Sequence, residues 1–209
     1  MSMLNKEQID MWYKLNLDTR NRTIYFGPWH DGNADLGAAE SREPWEINDW
    51  SAACLIKGLY VLDSAAHAPI KLIFFSYGGD WDAGMAIYDY IKRIKSPVDV
   101  QAYGRIRSMG TIVLQACRKR ALSNNCLFLI HYGSGEVSSS NCKDTIAFAH
   151  ELEKNNKTME DVYLKRIKEK RKRFTRAQLQ EGMKWDRYLT AREAVDLGLA
   201  DCVIRPGAK

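Results

Sequence analysis

The chain has 209 residues, 45% of them hydrophobic and 27% charged, a composition that fits one soluble globular domain with a substantial core. No apolar run approaches the roughly 18 residues of a membrane-spanning helix, and the N-terminus has no apolar signal segment, so we expect neither a membrane protein nor a secreted one. The net charge of +5 is concentrated in residues 154–176, which hold ten Lys or Arg against three Asp or Glu; because no nucleic-acid module accompanies this basic stretch, it predicts a solvated surface rather than nucleic-acid binding.

The first part of the chain is predicted to hold two helices, a strand and a loop. Apolar residues at helical spacing favour helices over residues 5–18 and about 47–63, and the run TIYF favours a strand over 23–26. Residues 27–46 are rich in Gly, Pro, Asp and Ala and are expected to form a loop insertion. The apolar face of the second helix is predicted to carry Ile47, Trp50, Cys54 and Val61.

Strands and helices then alternate along the chain. Apolar runs predict buried strands over 70–75, 98–103 and 126–131, and the segments between them have helical periodicity. This alternation predicts a mainly parallel sheet with crossover helices, and therefore an α/β fold. No linker is visible, so residues 1–209 are expected to form a single domain.

Local signals mark the ends of the predicted helices. Asp82 is expected to cap the helix after strand 70–75, and the basic residues 118–120 are expected to end the helix that follows strand 98–103. A long helix is predicted over about 143–168. The patterns TRAQ, starting at Thr175, and TARE, starting at Thr190, are capping boxes that predict two further helices.

The five cysteines are odd in number and lack the spacing of a metal site. Cys117, Cys126 and Cys202 fall in apolar runs and are expected to be reduced residues of the core. Reduced thiols predict an intracellular, cytoplasmic setting.

Ser108, His131 and Asp186 are the candidate catalytic residues. Ser108 lies between an extended run and a helical one, where the helix dipole favours developing negative charge on its hydroxyl. His131 closes a predicted strand and Asp186 lies between two predicted helices. Nucleophile, base and orienting acid are what acyl transfer needs, in any chain order. Singly, the three have ordinary interpretations as a helix cap, a hydrogen-bonded histidine and a solvated acid, so the prediction depends on their combination.

An oxyanion hole is predicted from the same segments, because acyl transfer needs two backbone N–H groups aimed at the substrate carbonyl oxygen. The N–H of Met109, next to Ser108, is one candidate donor. Gly78 and Gly79, which end strand 70–75, are candidates for the other, although a plain strand-to-helix turn explains these glycines equally well.

Five sequence motifs occur together in this chain: SYGG at 76–79, AGMAIYD at 83–89, SMG at 108–110, LIH at 129–131 and the run DRYLTAREAVDLGLAD at 186–201. In combination they resemble the family of the proteolytic subunit of the Clp protease, ClpP. The similarity covers about residues 70–204 and, more loosely, 10–69. The gap of 29 residues between Gly79 and Ser108 matches that family without insertion.

The resemblance implies a ClpP/crotonase-like fold, a repeated ββα superhelix with a mainly parallel sheet and a protruding handle helix. It implies Ser108 as nucleophile, His131 as general base and Asp186 as the acid that orients it. It also implies Gly79 and Met109 as the oxyanion donors.

The handle is expected over residues 132–168, as a strand and a helix. Substrate would bind there as an added strand, with Gly78, Tyr132, Gly133 and Ser134 as binding residues. The resemblance further implies heptameric rings that stack into a double ring, and an AAA+ ATPase unfoldase that feeds polypeptides into the chamber. No metal or organic cofactor is expected.

The chain departs from the family pattern close to the expected site. Tyr77 stands where the family has proline, and Arg105 and Arg107 stand where small or amide-bearing residues are usual. These arginines would favour acidic substrates or, in the interpretation that we prefer, pair with carboxylates across a subunit interface. Lys71 replaces an aromatic residue on the surface that docks unfoldases.

Two alternatives of other classes stay open. A catalytically inactive ring subunit would keep the fold, although it would not require all of Ser108, His131 and Asp186. An acyl-CoA enzyme of the crotonase type shares the fold but works with carboxylates, and binding of a CoA thioester would reveal it. A membrane-bound Ser–Lys peptidase of related fold is disfavoured because the sequence shows no membrane span.

Overall fold

The structure is a computed structural model that describes residues 6–27, 45–135 and 141–205. Most of the predicted loop insertion, residues 28–44, lies outside the described residues, as does part of the predicted handle, residues 136–140.

In these described ranges, ten strands form two sheets. The larger sheet has the order β1-β2-β4-β6-β7-β10, with β8 beside β6 and β9 beside β8. Its strands pair in parallel except at β1 and β9, which pair antiparallel, so the predicted α/β class is confirmed. The strands are β1 (Leu17–Asp18), β2 (Thr23–Phe26), β3 (Glu46–Ile47), β4 (Ile70–Ser76), β5 (Gly78–Gly79), β6 (Val98–Arg107), β7 (Lys119–Leu122), β8 (Leu127–Ile130), β9 (Arg187–Thr190) and β10 (Cys202–Val203).

The same ranges contain seven helices, and none of them is both long and apolar enough to cross a membrane. The long helix α5 extends the predicted 143–168 by one or two residues at each end. Both predicted capping boxes are confirmed, at Thr175 and at Thr190. The helices are α1 (Lys6–Leu15), α2 (Asp49–Ala65), α3 (Trp81–Arg93), α4 (Met109–Ala116), α5 (Cys142–Lys170), α6 (Arg176–Gly182) and α7 (Ala191–Leu197).

The core lies against one face of the central strands. Alternate residues of β4 and β6, among them Phe74 and Val100, are completely or almost completely buried, and they form one cluster with Leu59 of α2 and Ile87 of α3. Since side chains of a strand alternate between its faces, Lys71 and its neighbours at every second position lie on the opposite face, which is more exposed.

The helix after β6 is shorter than predicted, because residues 118–120 do not continue it. Lys119 and Arg120 begin strand β7 instead. The Arg120 guanidinium is buried and pairs with Asp201, a residue that is distant in sequence. Arg118 pairs with Asp99 on β6. Long-range pairing therefore overrides the local pattern of a basic helix end.

Other local predictions were also wrong. Asp80, not Asp82, caps α3, accepting a hydrogen bond from Ala83 N–H at 2.8 Å. Cys117 and Cys126 are buried as expected, but Cys202 is exposed. The predicted helix 5–18 ends at Leu15, because residues 17–18 pair with β2.

The buried face of α2 is not the predicted one. Leu55, Leu59 and Leu62 face the core, whereas Trp50 and Val61 are 42% and 45% exposed. The helix has apolar residues on two faces, and the sheet covers the leucine face, which leaves the other to line a groove beside α1.

Candidate active site

Ser108 lies at the junction of β6 and α4, since β6 extends four residues beyond the predicted end of the strand at residue 103. Its backbone has φ 49° and ψ −127°, a conformation that residues with a side chain rarely adopt and that costs about 1–3 kcal/mol. Its side chain makes no capping hydrogen bond to α4, so the ordinary interpretation as a helix cap is wrong. A strained residue whose hydroxyl has no capping role is a candidate for chemistry.

Hydrogen bonds on both sides of Ser108 hold this conformation. Its N–H donates to the carbonyl oxygen of Leu129 at 3.0 Å. Its own carbonyl oxygen accepts hydrogen bonds from Thr111 N–H at 2.9 Å and from Thr111 Oγ1 at 2.6 Å. The serine is therefore tied to β8 and to the first turn of α4.

His131 directly follows β8, which pairs in parallel with the end of β6, Arg107 opposite Leu129. Ser108 and His131 thus stand at the carboxyl ends of neighbouring parallel strands, where α/β proteins place their sites. Both residues line one cavity of about 480 Å³, in which the His131 side chain is 24% exposed.

Asp186 reaches His131 through β9, which pairs antiparallel with β8 and places Arg187 opposite Ile130. The distance from Asp186 Oδ1 to His131 Nδ1 is 4.0 Å, the length of a loose ion pair and longer than a hydrogen bond. The Asp186 side chain is 61% exposed. The structure therefore brings Ser108 and His131 to one cavity, whose lining does not include Asp186.

Both predicted oxyanion donors, Gly79 and Met109, line the same cavity. Gly79 has φ +136°, and a β carbon there would lie 2.2 Å from the carbonyl oxygen of Ile47, so only glycine fits. Gly78 does not line the cavity and supports Ser108 instead. Its N–H donates to Ser76 Oγ at 3.1 Å, and it packs against Ser108.

The predicted substrate-binding residues after His131 separate into two groups. Gly133 and Ser134 line the cavity that contains Ser108. Tyr132 lines a neighbouring cavity instead, and its hydroxyl donates to Glu160 Oε1 at 2.7 Å. The Gly133 N–H donates to Asn156 Oδ1 at 2.8 Å, so this segment is anchored on α5.

Sequence reasoning missed most of the cavity wall. One side is apolar and another carries carboxylates, which follow β5 or lie on α5. The apolar side could have been found from the apolar face of the long helix α5, because some residues of that face line the cavity and others lie in the core. The apolar residues include Trp81, Ile112, Phe148, Leu152 and Met159, and the acidic residues are Asp80, Asp82 and Glu151.

Arg105 and Arg107 do not line this cavity. Their guanidinium carbons lie 6.0 and 5.7 Å from the centre of the Tyr77 ring, and Arg107 is also 6.0 Å from the ring of Tyr188. The tyrosine that replaces the family's proline therefore packs with the two arginines that precede the serine, as cation–π contacts. Their pairing with carboxylates of another subunit stays a prediction.

No cluster of three or more His, Cys, Asp or Glu side chains in the described ranges is arranged to hold a metal ion. The fold and the site together define a mainly parallel α/β protein with a cleft at the carboxyl ends of adjacent strands, beside a long helix.

Comparison with known proteins identifies the family. The family model described as Clp protease matches residues 44–207, and the chain belongs to that family. It is 34% identical over 163 residues to the ATP-dependent Clp protease proteolytic subunit 1 of Chlamydia caviae, which covers 76% of this chain and 82% of that protein. The same subunit of Chlamydia muridarum is 31% identical with the same coverage.

A solved structure agrees. A point mutant of ClpP1 from Listeria monocytogenes superposes with a TM-score of 0.72 and 25% identity, covering 90% of this chain and 94% of that chain. The predicted ClpP/crotonase-like fold is confirmed.

Proposed function

We propose that the protein is a serine endopeptidase in which Ser108 is the nucleophile, His131 the general base and Asp186 the acid that orients the imidazole. The observation that carries this proposal is the state of Ser108. It is held in a strained backbone conformation, its hydroxyl does not cap the helix, and it shares a cavity with His131.

The first step is attack of Ser108 Oγ on a peptide carbonyl carbon, while His131 accepts the hydroxyl proton. Because Nδ1 of His131 faces Asp186, Nε2 is the nitrogen that serves the serine. A protonated His131 is then stabilised by the Asp186 carboxylate.

The tetrahedral intermediate carries its negative charge on the former carbonyl oxygen. Backbone N–H groups of Gly79 and Met109 donate to this oxygen, and the N-terminus of α4 adds the positive end of its dipole. His131 gives its proton to the leaving amine, which leaves an acyl-enzyme on Ser108. A water molecule, deprotonated by His131, then releases the acid product.

The substrates are unfolded polypeptides. The apolar side of the cavity, with Phe148 and Leu152, accepts an apolar side chain of the substrate, and the backbone of residues 133–135 offers hydrogen-bonding groups to an extended chain. The relatives are called ATP-dependent proteolytic subunits, which supports an ATPase unfoldase as the partner that delivers substrate.

Assembly into heptameric rings, stacked in pairs, encloses the site. The chain offers apolar surface for such contacts: Trp50, Tyr60 and Val61 are exposed on α2, and Tyr103 and Tyr188 are exposed on strands of the main sheet. The five cysteines form no disulfide, which supports a reducing, cytoplasmic setting.

One observation favours the second candidate function, an inactive ring subunit. The 4.0 Å between His131 and Asp186 is too long for a hydrogen bond, so the isolated chain has an incompletely assembled triad. If ring contacts do not close this distance, the protein would act as a scaffold for an active relative.

A fluorophosphonate probe tests the chemistry. It is expected to label the purified protein on Ser108, as located by mass spectrometry of the labelled peptide, and S108A is expected to abolish the labelling. S64A is the matched control, since Ser64 is an exposed serine on α2. Labelling that persists in S108A would refute the assignment.

Native mass and cleavage of an unstructured polypeptide test the rest. A large ring assembly that degrades the polypeptide supports the endopeptidase. An assembly that neither reacts with the probe nor cleaves supports the scaffold.

A further inference from the structure

Two buried hydroxyl groups meet behind the candidate nucleophile. Thr111 of α4 and Tyr163 of α5 are both completely buried, and Thr111 Oγ1 lies 2.5 Å from the Tyr163 hydroxyl oxygen. Burial raises the pKa of Tyr163, so this phenol is protonated and can donate a hydrogen bond throughout the physiological range. Neither residue lines the cavity that contains Ser108 and His131.

The direction of these hydrogen bonds follows from the number of hydrogens. The Ser108 carbonyl oxygen can only accept, and it lies 2.6 Å from Thr111 Oγ1. Thr111 therefore donates its single hydroxyl hydrogen to Ser108. The Tyr163 hydroxyl must then donate to Thr111. The result is a one-way chain from Tyr163 through Thr111 to the backbone of Ser108, in which each bond polarises the next.

The carbonyl of Ser108 and the N–H of Met109 belong to one peptide unit. A trans peptide is planar, and its C=O and N–H point in opposite directions. A chain of hydroxyls that draws the Ser108 oxygen into the interior therefore turns the Met109 N–H the other way. Met109 lines the cavity that contains Ser108 and His131.

The peptide unit needs this restraint because Ser108 is strained. With φ 49° and ψ −127°, Ser108 would relax if the unit between residues 108 and 109 rotated. Such a rotation changes ψ of Ser108 and would break both hydrogen bonds from Thr111. Without the Thr111 hydroxyl, only the hydrogen bond from the Thr111 backbone N–H would hold the Ser108 carbonyl oxygen.

We propose that Thr111 and Tyr163 are positioning residues of the active site, which fix the peptide unit of Ser108 and Met109 so that its N–H faces the oxyanion. This inference rests on the proposed function, because it takes the Met109 N–H as an oxyanion donor. It adds two residues that neither touch substrate nor belong to the triad.

The test is steady-state cleavage of an unstructured peptide by four variants. T111V removes the hydroxyl at nearly constant shape and is expected to lower kcat about 10-fold with KM within about 2-fold, since the misdirected donor acts only in the transition state. Y163F is expected to lower kcat less, by about 3-fold, because Thr111 keeps its bond to Ser108. T111S keeps a hydroxyl and is expected to restore the wild-type kcat. T158V is the matched control, since Thr158 is exposed on α5.

A double variant separates positioning from stability. T111V alone leaves the Tyr163 hydroxyl buried without a partner, which destabilises the fold. T111V combined with Y163F removes both hydroxyls, so its melting temperature is expected to recover while kcat stays as low as in T111V. Recovery of kcat together with the melting temperature would overturn the proposal, as would an unchanged kcat in T111V.

A crystal structure of T111V gives a readout that does not depend on activity. The peptide unit between residues 108 and 109 is expected to rotate, with ψ of Ser108 moving away from −127°. An unchanged peptide unit would overturn the inference. If the wild-type protein cleaves nothing, the proposed function fails, and this structural comparison then decides the inference by itself.

Discussion

Gly78 lies directly against the side chain of Ser108. A β carbon on residue 78 would come 2.6 Å from Ser108 Cβ, 3.0 Å from the Arg107 carbonyl oxygen and 3.2 Å from the Met109 nitrogen. Gly78 also has φ +100°, a conformation that glycine adopts readily and other residues do not. The turn after β4 thus supports the turn that carries Ser108.

The variant G78A is therefore expected to disable the site. Both the contact and the positive φ oppose the new methyl group, so Ser108 must move, and a displacement of about 1 Å is enough to lower the rate of fluorophosphonate labelling by about 100-fold. G58A is the control, because a β carbon at Gly58 in α2 would meet only the side chain of Ile24, at 3.3 Å or more, and Gly58 has no positive φ. Labelling of G78A at the wild-type rate would show that the two turns do not interact in this way.

The charge of the substrate peptide is expected to affect cleavage. The expected sense is opposite to the preference for acidic substrates, which was the less favoured interpretation of Arg105 and Arg107. The described lining of the cavity includes Asp80, Asp82 and Glu151 and no Lys or Arg. A peptide with Lys near the scissile bond should then have a kcat/KM about 5-fold above that of the Glu analogue at low salt, since one partly solvated ion pair contributes about 1 kcal/mol. The difference should shrink in 0.5 M NaCl (about a 4 Å screening length).

The double variant D82N/E151Q should remove most of this preference. D89N is its control, because Asp89 is an exposed residue of α3 outside the cavity lining. A preference for the Glu peptide that R105Q abolishes would instead assign specificity to the arginines.

Acid is expected to weaken the anchor between α5 and the segment after His131. Burial raises the pKa of Glu160, but hydrogen bonds from Tyr132, Arg176 and Gln180 outweigh it and hold this pKa below its ordinary value. The charged carboxylate therefore contributes stability that is complete above the unfolded pKa of about 4.3 and is lost as the pH falls through the folded value.

Melting temperatures between pH 7 and pH 3.5 check this prediction. The wild type should lose stability in the acid part of the range, whereas E160Q should start lower at pH 7 and fall less. E153Q, which changes an exposed carboxylate on the same helix, should follow the wild type. Parallel curves for E160Q and wild type would show that Glu160 does not titrate as described.

Arg22 is expected to be a main support of α2. Its guanidinium donates to the carbonyl oxygens of Leu62 and Ala66 at the end of that helix, and to those of Ala68 and Pro69 beyond it. R22A removes these four hydrogen bonds and should lower the free energy of unfolding by about 2–3 kcal/mol, with R22K near half of that because an ammonium cannot reach the four acceptors together. Urea unfolding measures the loss, and R192A, at an exposed position of α7, should cost almost nothing.

Local sequence signals predicted the features that depend on neighbours in the chain. The capping boxes at Thr175 and Thr190 and the strand over residues 23–26 are confirmed, because each depends on a few adjacent residues. The strand β7 was missed because the contacts that stabilise it are distant in sequence: the buried Arg120 pairs with Asp201, which directly precedes the neighbouring strand β10.

In the candidate site, too, local features were predictable and those that depend on distant residues were not. The residue types and their places at strand ends predicted the meeting of Ser108 and His131 in one cavity. The strain at Ser108 was not predictable, because it results from contacts with Gly78, Leu129 and Thr111, which lie on three separate segments. The acidic side of the cavity was not predicted either, since Glu151 reaches it only through the packing of α5.

The register of β6 against β8 has a consequence for how this chain can change during evolution. Arg107 pairs with Leu129, and Ser108 and His131 follow these two residues within two positions. The separation of Ser108 and His131 in space is thus set by one ladder of hydrogen bonds, whatever the number of residues that connects the strands. Insertions or deletions between β7 and β8, at residues 123–126, can change the length of that connection without moving the serine away from the histidine. A slip of one ladder position would instead shift the imidazole by about 3.3 Å and turn it to the other side of the sheet.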